Sequence, residues 1–296
     1  MVLMKNKELS YHNLYLPNKD IVCGGNRTKE KYTQKNYFFS IITVVLNKAN
    51  FTEETIKSVI KQSDDIEYII IDGGSTDGTL DIIKKYENSV NLWISEKDHG
   101  IYDAMNKGIK YSSGKYIGII NSGDLYSTNA LTIIKNYLTK AEPIDFIFGT
   151  VKKKILKSGF KKNKIYWSFD FYPSHSSGFF ISNKVQRELG LYDTRFKLSA
   201  DHDFFFRLIK NKFKGIATKE SELIGHFTKD GGSYSSTFDF FEHFEEEINI
   251  RLNNKQNLLS ILFVILLNYL IKISKNKKRS ISINQCLNLI KKCIQN

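Results

Sequence analysis

The sequence predicts an α/β fold, with a mostly parallel central sheet flanked by helices and a helical appendage at the C-terminal end. Three observations predict it. Apolar runs of strand length alternate with stretches of helical periodicity from Phe38 onward, and that alternation implies a parallel sheet covered on both faces. The 296 residues are 41% hydrophobic and 13% aromatic, enough to bury a full core and unlike a disordered chain. Acids or amides stand just beyond the apolar runs, at Asn47, Asp72, Glu96 and Asn121 to Asp124, where open α/β sheets bind ligands.

The elements follow in order. Residues 1–36 are polar and rich in Lys and Asn, and read as an extension draped on the surface without chemistry. Phe38 to Leu46 is a β-branched apolar run that suits a strand buried on both faces. Thr52 reads as a helix cap, with Glu53 and Glu54 in an acidic first turn before Ile56, Val59 and Ile60. A second strand, Tyr68 to Ile71, ends at Asp72, and a helix follows through Leu80, Ile82 and Ile83. Strands at 92–94 and 116–120 bracket a helix from about Ile101 to Tyr111. A helix through Leu131, Ile134 and Leu138 leads to a strand at 146–148. The Lys-rich stretch 151–170 is either a mobile loop over the site or a solvated hairpin. Gly178 to Ser182 reads as a strand, Val185 to Leu189 as a helix stopped by Gly190, and Asp203 to Lys210 as another helix. The domain division is therefore 1–36 extension, 37–240 catalytic-type α/β domain, and 241–296 helical region.

The formal net charge of +13 fits nucleic acid, an anionic membrane surface or a phosphorylated substrate. A nucleic-acid binder interleaves basic residues with exposed aromatics. Here acids stand at the strand ends and would repel a phosphate backbone unless a metal intervened, so no nucleic acid is expected. Cys23, Cys286 and Cys293 form neither a zinc pattern nor a disulfide framework and read as reduced thiols. No apolar stretch near the start is long enough for a secretory signal, so the α/β domain is expected to stay in the cytoplasm.

Three segments carry the chemistry. Asp72-Gly73-Gly74-Ser75-Thr76-Asp77-Gly78-Thr79 follows a buried strand and opens a helix. Its small residues let backbone approach a ligand, and a strand-end carboxylate can accept from a base or ribose. An ordinary strand-to-helix turn uses the same residues. In Glu96-Lys97-Asp98-His99-Gly100-Ile101-Tyr102-Asp103, Asp98 and Asp103 can face one strand-end crevice. Equally, Asp98 can cap a helix, and Asp103 can pair with Lys107 four residues on. Asn121-Ser122-Gly123-Asp124 closes the next strand. A carboxylate there can hold a hard cation that binds phosphate oxygens, and a tight turn uses the same residue types.

Taken together and in this order, these motifs closely resemble family 2 glycosyltransferases, in particular the bacterial subgroup that builds O-antigen, capsule and colanic-acid-type polysaccharides. The resemblance covers roughly 38–235. It implies a GT-A fold, a nucleotide-sugar donor (UDP- or GDP-linked), Mn2+ or Mg2+, and inversion at the anomeric carbon. It also implies a glycan or lipid-linked glycan acceptor and a hexosyl- or N-acetylhexosaminyltransferase class. Carried over by position, Asn47, Asp72, Asp98, Asp103 and Asn121 belong to the donor side, and Asp124 to the metal. The family's acidic metal motif is altered here, with Asn121 for its first Asp and Gly123 for its third. Ser199-Ala200-Asp201-His202-Asp203 resembles the region of the catalytic base, with Ala200 in place of a Glu and Asp201 as the base. Helix capping by Asp201 or Asp203 is the alternative. His175, His202 and Asp203 are assigned to the acceptor side, with a satisfied structural histidine as the alternative for His175, and His226 with Gly231-Gly232-Ser233 resembles a closing segment that reaches back toward the diphosphate. The departures at 121, 123 and 200 keep open an inactive relative that serves as a partner subunit.

Leu258 to Ile271 is the most apolar stretch, shorter than the roughly 20 residues of a spanning helix. Lys272, Lys275, Lys277, Lys278 and Arg279 follow it. An apolar helix beside a basic cluster suits peripheral attachment at the inner face of the cytoplasmic membrane, and docking on protein is the alternative. Cys286, Leu289 and Cys293 mark one face of a final helix.

Overall fold

The structure is a computed structural model that describes residues 21–33, 35–62, 65–140, 142–169, 171–172, 174–228 and 240–275. The Gly231–Ser233 segment, Lys277 to Arg279, and the expected final helix with Cys286 and Cys293 lie outside the described residues.

In chain order the elements are β1 (Val22–Gly24), β2 (Phe39–Val45), α1 (Ala49–Ile60), β3 (Ile66–Asp72), α2 (Thr79–Lys85), β4 (Leu92–Ser95), α3 (Ile101–Tyr111), β5 (Tyr116–Asn121) and β6 (Leu125–Tyr126). Then come α4 (Ala130–Leu138), β7 (Phe146–Phe148), β8 (Thr150–Lys152), β9 (Leu156–Lys157), β10 (Phe179–Ser182), α5 (Asn183–Leu189), α6 (Ala200–Lys210), β11 (Gly215–Ala217), β12 (Leu223–His226), α7 (Phe240–Asn253) and α8 (Leu258–Lys275).

The main sheet has the order β1-β4-β3-β2-β5-β10-β7-β11. The strands β4, β3, β2 and β5 are parallel neighbours, whereas β10 runs antiparallel between β5 and β7. The register is unbroken from Phe39↔Ile66 to Val45↔Asp72, so Asp72 emerges level with the end of β2. A smaller sheet, β6-β12-β8-β9, stands beside it.

Alternation along β2 and β3 explains the two cores. Ile42, Val44, Ile69 and Ile71 face one cluster with Met105, Ile109 and the α6 phenylalanines. Ile41, Val45, Ile70 and Tyr68 face the other, with Ile56, Val59, Ile83 and Ile134 from α1, α2 and α4. Burying each such aliphatic side chain stabilises the fold by about 1.5–3 kcal/mol.

Three expectations need correction. The polar extension is not merely draped, because β1 pairs antiparallel with β4. Next to it, Arg27 is buried in an ion pair with Glu67 of β3 and donates to the Tyr111 carbonyl at 2.8 Å. A single basic residue in a polar run gave no sign of this long-range partner. Second, α1 begins at Ala49, so Thr52 lies inside its first turn. There its hydroxyl donates to the Lys48 carbonyl at 2.7 Å and meets Ser122 Oγ at 3.0 Å. Third, neither Asp201 nor Asp203 caps α6, whose N-cap is Ser199. The Glu246 carboxylate of α7 takes the amides of Lys197, Leu198 and Ser199 instead, at 2.7, 3.0 and 2.9 Å. Of the two readings of 151–170, the structure has the hairpin, β8 paired with β9, followed by a 3-10 turn over Lys162–Tyr166.

Candidate active site

The crevice lies at the carboxyl ends of β2, β3, β4 and β5, and each loop there is fixed by its own polar residues. Asn47 adopts φ 50, a left-handed conformation that Asn tolerates better than most residues. Its side-chain oxygen accepts from the Thr76 amide at 2.9 Å and its own amide donates to Ser75 Oγ at 2.8 Å. These bonds tie the loop after β2 to the loop after β3. Asp72 is fully buried, and its carboxylate accepts from the Ser75 amide at 3.1 Å and from Ser95 Oγ at 2.6 Å. Gly73 allows close approach, because a Cβ there would overlap the Asp98 carboxylate. Asp98 in turn accepts from the Gly100 amide at 3.0 Å. Asn47, Asp72 and Asp98 thus form one connected rim.

Asp103 stands slightly apart from that rim. It accepts from the His99 amide at 3.1 Å and lies 3.5 Å from Lys107 Nζ, the expected i,i+4 pair, while Lys107 sits closer to Glu96 at 2.9 Å.

The turn after β5 is held from below by α1. Thr55 Oγ1 accepts from the Gly123 amide at 2.8 Å and donates to the Asp124 carbonyl at 2.9 Å. Gly123 has φ 101, which a residue with a side chain rarely adopts. This support leaves two buried oxygens with no hydrogen bond, Asn121 Oδ1 and Asp124 Oδ2. His175 Nδ1 stands 3.1 Å from Asp124 Oδ2, at ion-pair distance without hydrogen-bond alignment, and Ser176 Oγ lies at the same distance from Nδ1. His226 is brought to the same turn, because β12 pairs His226 with Leu125.

A buried oxygen without a hydrogen-bond partner costs about 1–3 kcal/mol, and others lie outside this turn, Asn183 Oδ1 and Glu247 Oε2 among them. The pair at this strand end fits a hard cation that takes few protein ligands and completes its shell with phosphate and water. Among the described residues no cluster of three or more His, Cys, Asp or Glu side chains would hold a metal unaided.

Across the crevice, α6 presents Asp201. Tyr102 of α3 donates its hydroxyl to Asp201 Oδ1 at 3.0 Å, and the His202 amide donates to the same oxygen at 2.9 Å. Burial pushes the Asp201 carboxyl above the ordinary aspartate range, opposed by the charge of His202 and by the Tyr102 hydroxyl. Burial pushes the Tyr172 phenol far up, and the charges of Tyr192, Asp201 and Asp124 add to that push.

The other two polar residues of this segment turn elsewhere. His202 is buried, stacks on Phe171 with ring centroids 6.3 Å apart, and makes a short hydrogen bond from Nδ1 to Glu247 of α7. Asp203 accepts from Arg207 Nε at 2.8 Å and from Asn254 Nδ2 at 2.9 Å. These two side chains lock α6 to the α7 region.

The sequence reading missed Tyr102, Tyr172, Glu246 and Glu247. Tyr102 lies inside a motif already singled out, so its place in the first turn of α3 was the available signal. The other three carry none, because their partners are brought near only by tertiary packing. A cavity of about 580 Å3, lined by Lys29, Tyr32, Tyr37, Asn88 and Asn91 among others, opens at the amino ends of β3 and β4, and no acid of the crevice lines it.

Comparison with known proteins bears on the family and the fold. The Glycosyl transferase family 2 model matches residues 40–210. A PGL/p-HBAD biosynthesis glycosyltransferase of Mycobacterium bovis is 27% identical over 211 residues, 67% of this chain and 79% of that protein. An uncharacterised glycosyltransferase of Mycobacterium tuberculosis is 30% identical over 177 residues, 57% of this chain and 67% of that protein. Among solved structures, residues 1–349 of S. aureus TarS superpose with TM-score 0.63 at 16% identity, over 87% of this chain and 80% of that one. Against a longer TarS chain the coverage is 77% of this chain and 43% of that one, with TM-score 0.58 and 20% identity. The mannosyltransferase PcManGT of Pyrobaculum calidifontis superposes with TM-score 0.54 at 13% identity, over 88% of this chain and 81% of that one. The mixed sheet with its flanking helices is accordingly of the GT-A kind. With the family model spanning more than half of the 296 residues, from the start of β2 to the end of α6, the chain belongs to glycosyl transferase family 2.

Proposed function

We propose that this chain is an inverting transferase that moves a hexosyl or N-acetylhexosaminyl group from a nucleoside-diphosphate sugar to an acceptor hydroxyl, with Asp201 as the base. The observation that carries this reading is the half-buried Asp201 carboxyl at the start of α6, held by the Tyr102 hydroxyl at 3.0 Å, with burial raising its pKa. The acceptor proton passes to Asp201 as the hydroxyl oxygen attacks the anomeric carbon. The new C–O bond forms on the face opposite the diphosphate, whose bond to that carbon breaks, so the configuration inverts. A pKa raised toward neutrality makes Asp201 a stronger proton acceptor than an exposed aspartate.

Asn47, Asp72 and Asp98 form the nucleoside side of the cleft, with Asp103 beside them. Asn121 Oδ1 and Asp124 Oδ2, both buried without hydrogen bonds, would hold Mg2+ or Mn2+. When bound, the ion supplies positive charge against the departing diphosphate. His175 and His226 flank that turn. Support for the donor class comes from relatives of the same fold: TarS has been solved with UDP and with UDP-GlcNAc, and PcManGT with GDP-Man and Mn2+.

The acceptor we favour is a lipid-linked glycan in bacterial surface-polysaccharide synthesis of the O-antigen or capsule type, handled by a peripheral enzyme at the cytoplasmic face of the membrane. No helix of the described residues is long and apolar enough to cross a membrane. The inactive-partner reading rests on Asn121, Gly123 and Ala200. The retained carboxylates Asp72, Asp98, Asp124 and Asp201 weigh against it. The test is NMR of the product formed from a nucleotide sugar and a membrane-lipid extract. An inverted anomeric centre, with product lost in Asp201→Asn, supports the reading. Retained configuration, or transfer that survives Asp201→Asn, defeats it.

A further inference from the structure

We propose that one continuous surface, built from the outer face of α8, Trp167 and the lysines before it, docks this enzyme on an anionic bilayer. The proposal rests on the membrane location argued above and supplies the surface for it. Along α8, Ile261, Val264 and Ile265 are buried against the protein. The opposite face carries Leu259, Leu262, Phe263 and Leu266, at helical spacing, and three of these are 76%, 54% and 54% exposed (Leu259, Phe263 and Leu266). A helix covered on one side by its own protein does not need apolar residues on the other. A contiguous exposed apolar face of this kind marks an interaction site.

The face extends beyond the helix. Trp167 is 49% exposed, and its ring meets Phe263 edge-on with centroids 6.3 Å apart. Its segment is fixed in place beforehand. Buried Arg251 donates to the carbonyls of Ile165 and Ser168 at 3.1 and 3.2 Å, and the Phe169 amide donates to Asn268 Oδ1 at 3.4 Å. Lys161, Lys162 and Lys164 are exposed in that segment, and the Trp167 amide donates to the Lys164 carbonyl at 3.1 Å, one turn away. An indole beside lysines on an apolar helix face matches the headgroup boundary, where Trp settles and each Lys is drawn to anionic lipid. The occupant is a bilayer rather than a second copy of this chain. The +13 charge opposes self-association, and the same charge favours an anionic leaflet.

The experiment is co-sedimentation of the full chain, without donor, with vesicles of phosphatidylglycerol and phosphatidylcholine against phosphatidylcholine alone. Tryptophan emission is followed in parallel. Trp93 is buried and is the only other tryptophan, so a blue shift on binding reports Trp167. Binding to the anionic vesicles is expected to fall as salt rises. Phe263→Ser with Leu259→Ser should lose at least about tenfold in partitioning, and Lys161, Lys162 and Lys164 together changed to Gln a similar factor. All these side chains are exposed, so melting points stay near that of the parent. Three outcomes overturn the proposal: no vesicle binding, variants that bind like the parent, or a parent dimer that Phe263→Ser disperses. Nucleotide-induced stabilisation, measured without vesicles, is independent of this surface. Its loss defeats the transferase reading alone, and its presence with failed vesicle binding defeats the docking proposal alone.

Discussion

At the base of the sheet, Glu67 is buried among Arg27, Ser40 and Ser113, all of which hydrogen-bond to it. At the opposite end, Asp124 is equally buried and leaves one oxygen without a hydrogen bond, while Asp201 is held with its pKa raised by burial. Both ends bury carboxylates, and Asp72 at the carboxyl end is hydrogen-bonded on both oxygens like Glu67, but Asp124 is not. A saturated acid fastens the fold, because every lone pair already has its donor. An under-satisfied acid costs stability when nothing is bound and is free to meet a proton or a cation. Hydrogen-bond saturation, rather than position alone, therefore separates Asp124 from Glu67 and Asp72 within one sheet.

The largest expected effect breaks the chemical end. Asp201→Asn should lower transfer by about 10²–10⁴-fold, the usual contribution of a positioned base, while the protein stays folded because the amide oxygen keeps its bonds from Tyr102 and His202. At the base, Arg27→Ala should do the reverse. Leaving Glu67 buried without its cation should cost about 3–5 kcal/mol by denaturant unfolding, with activity per folded molecule kept.

pH sharpens the contrast. The folded Asp201 pKa lies above its unfolded value, so its contribution to stability is present at low pH and is lost as pH rises through the folded pKa. Asp201→Asn should therefore melt higher than the parent at neutral pH, with the gap closing in acid. The acid limb of kcat/KM should lie above the range of an ordinary aspartate and disappear in the variant. The smallest effect is expected from Tyr102→Phe, which removes one hydrogen bond to the base. A severalfold loss in kcat with KM little changed, on the order of 1 kcal/mol, would mark Tyr102 as a positioning residue.

Much of the fold was legible because its strands are long apolar runs. From β2 through α4 the periodicity and the acids at the strand ends located nearly every element, and α3 falls on Ile101–Tyr111 as its spacing predicts. What was hidden depended on contacts distant in sequence. Arg27 looks like any surface arginine until Glu67 is placed beside it 40 residues later in the chain. Asp203 reads as an acceptor-side residue until Arg207 and Asn254 are seen to occupy it. Local pattern locates a carboxylate on an element. Only packing tells whether its oxygens are already taken.

The most direct test is the melting point of the purified protein with UDP, GDP, UDP-GlcNAc and GDP-Man, with and without Mn2+, in the parent and in Asp124→Ala. A ligand that binds only the folded state at about 100 times its Kd adds about 2.7 kcal/mol. The account predicts a metal-dependent rise with one nucleotide class that Asp124→Ala abolishes. No rise with any nucleotide in folded protein, or a metal-dependent rise that survives Asp124→Ala, would contradict it.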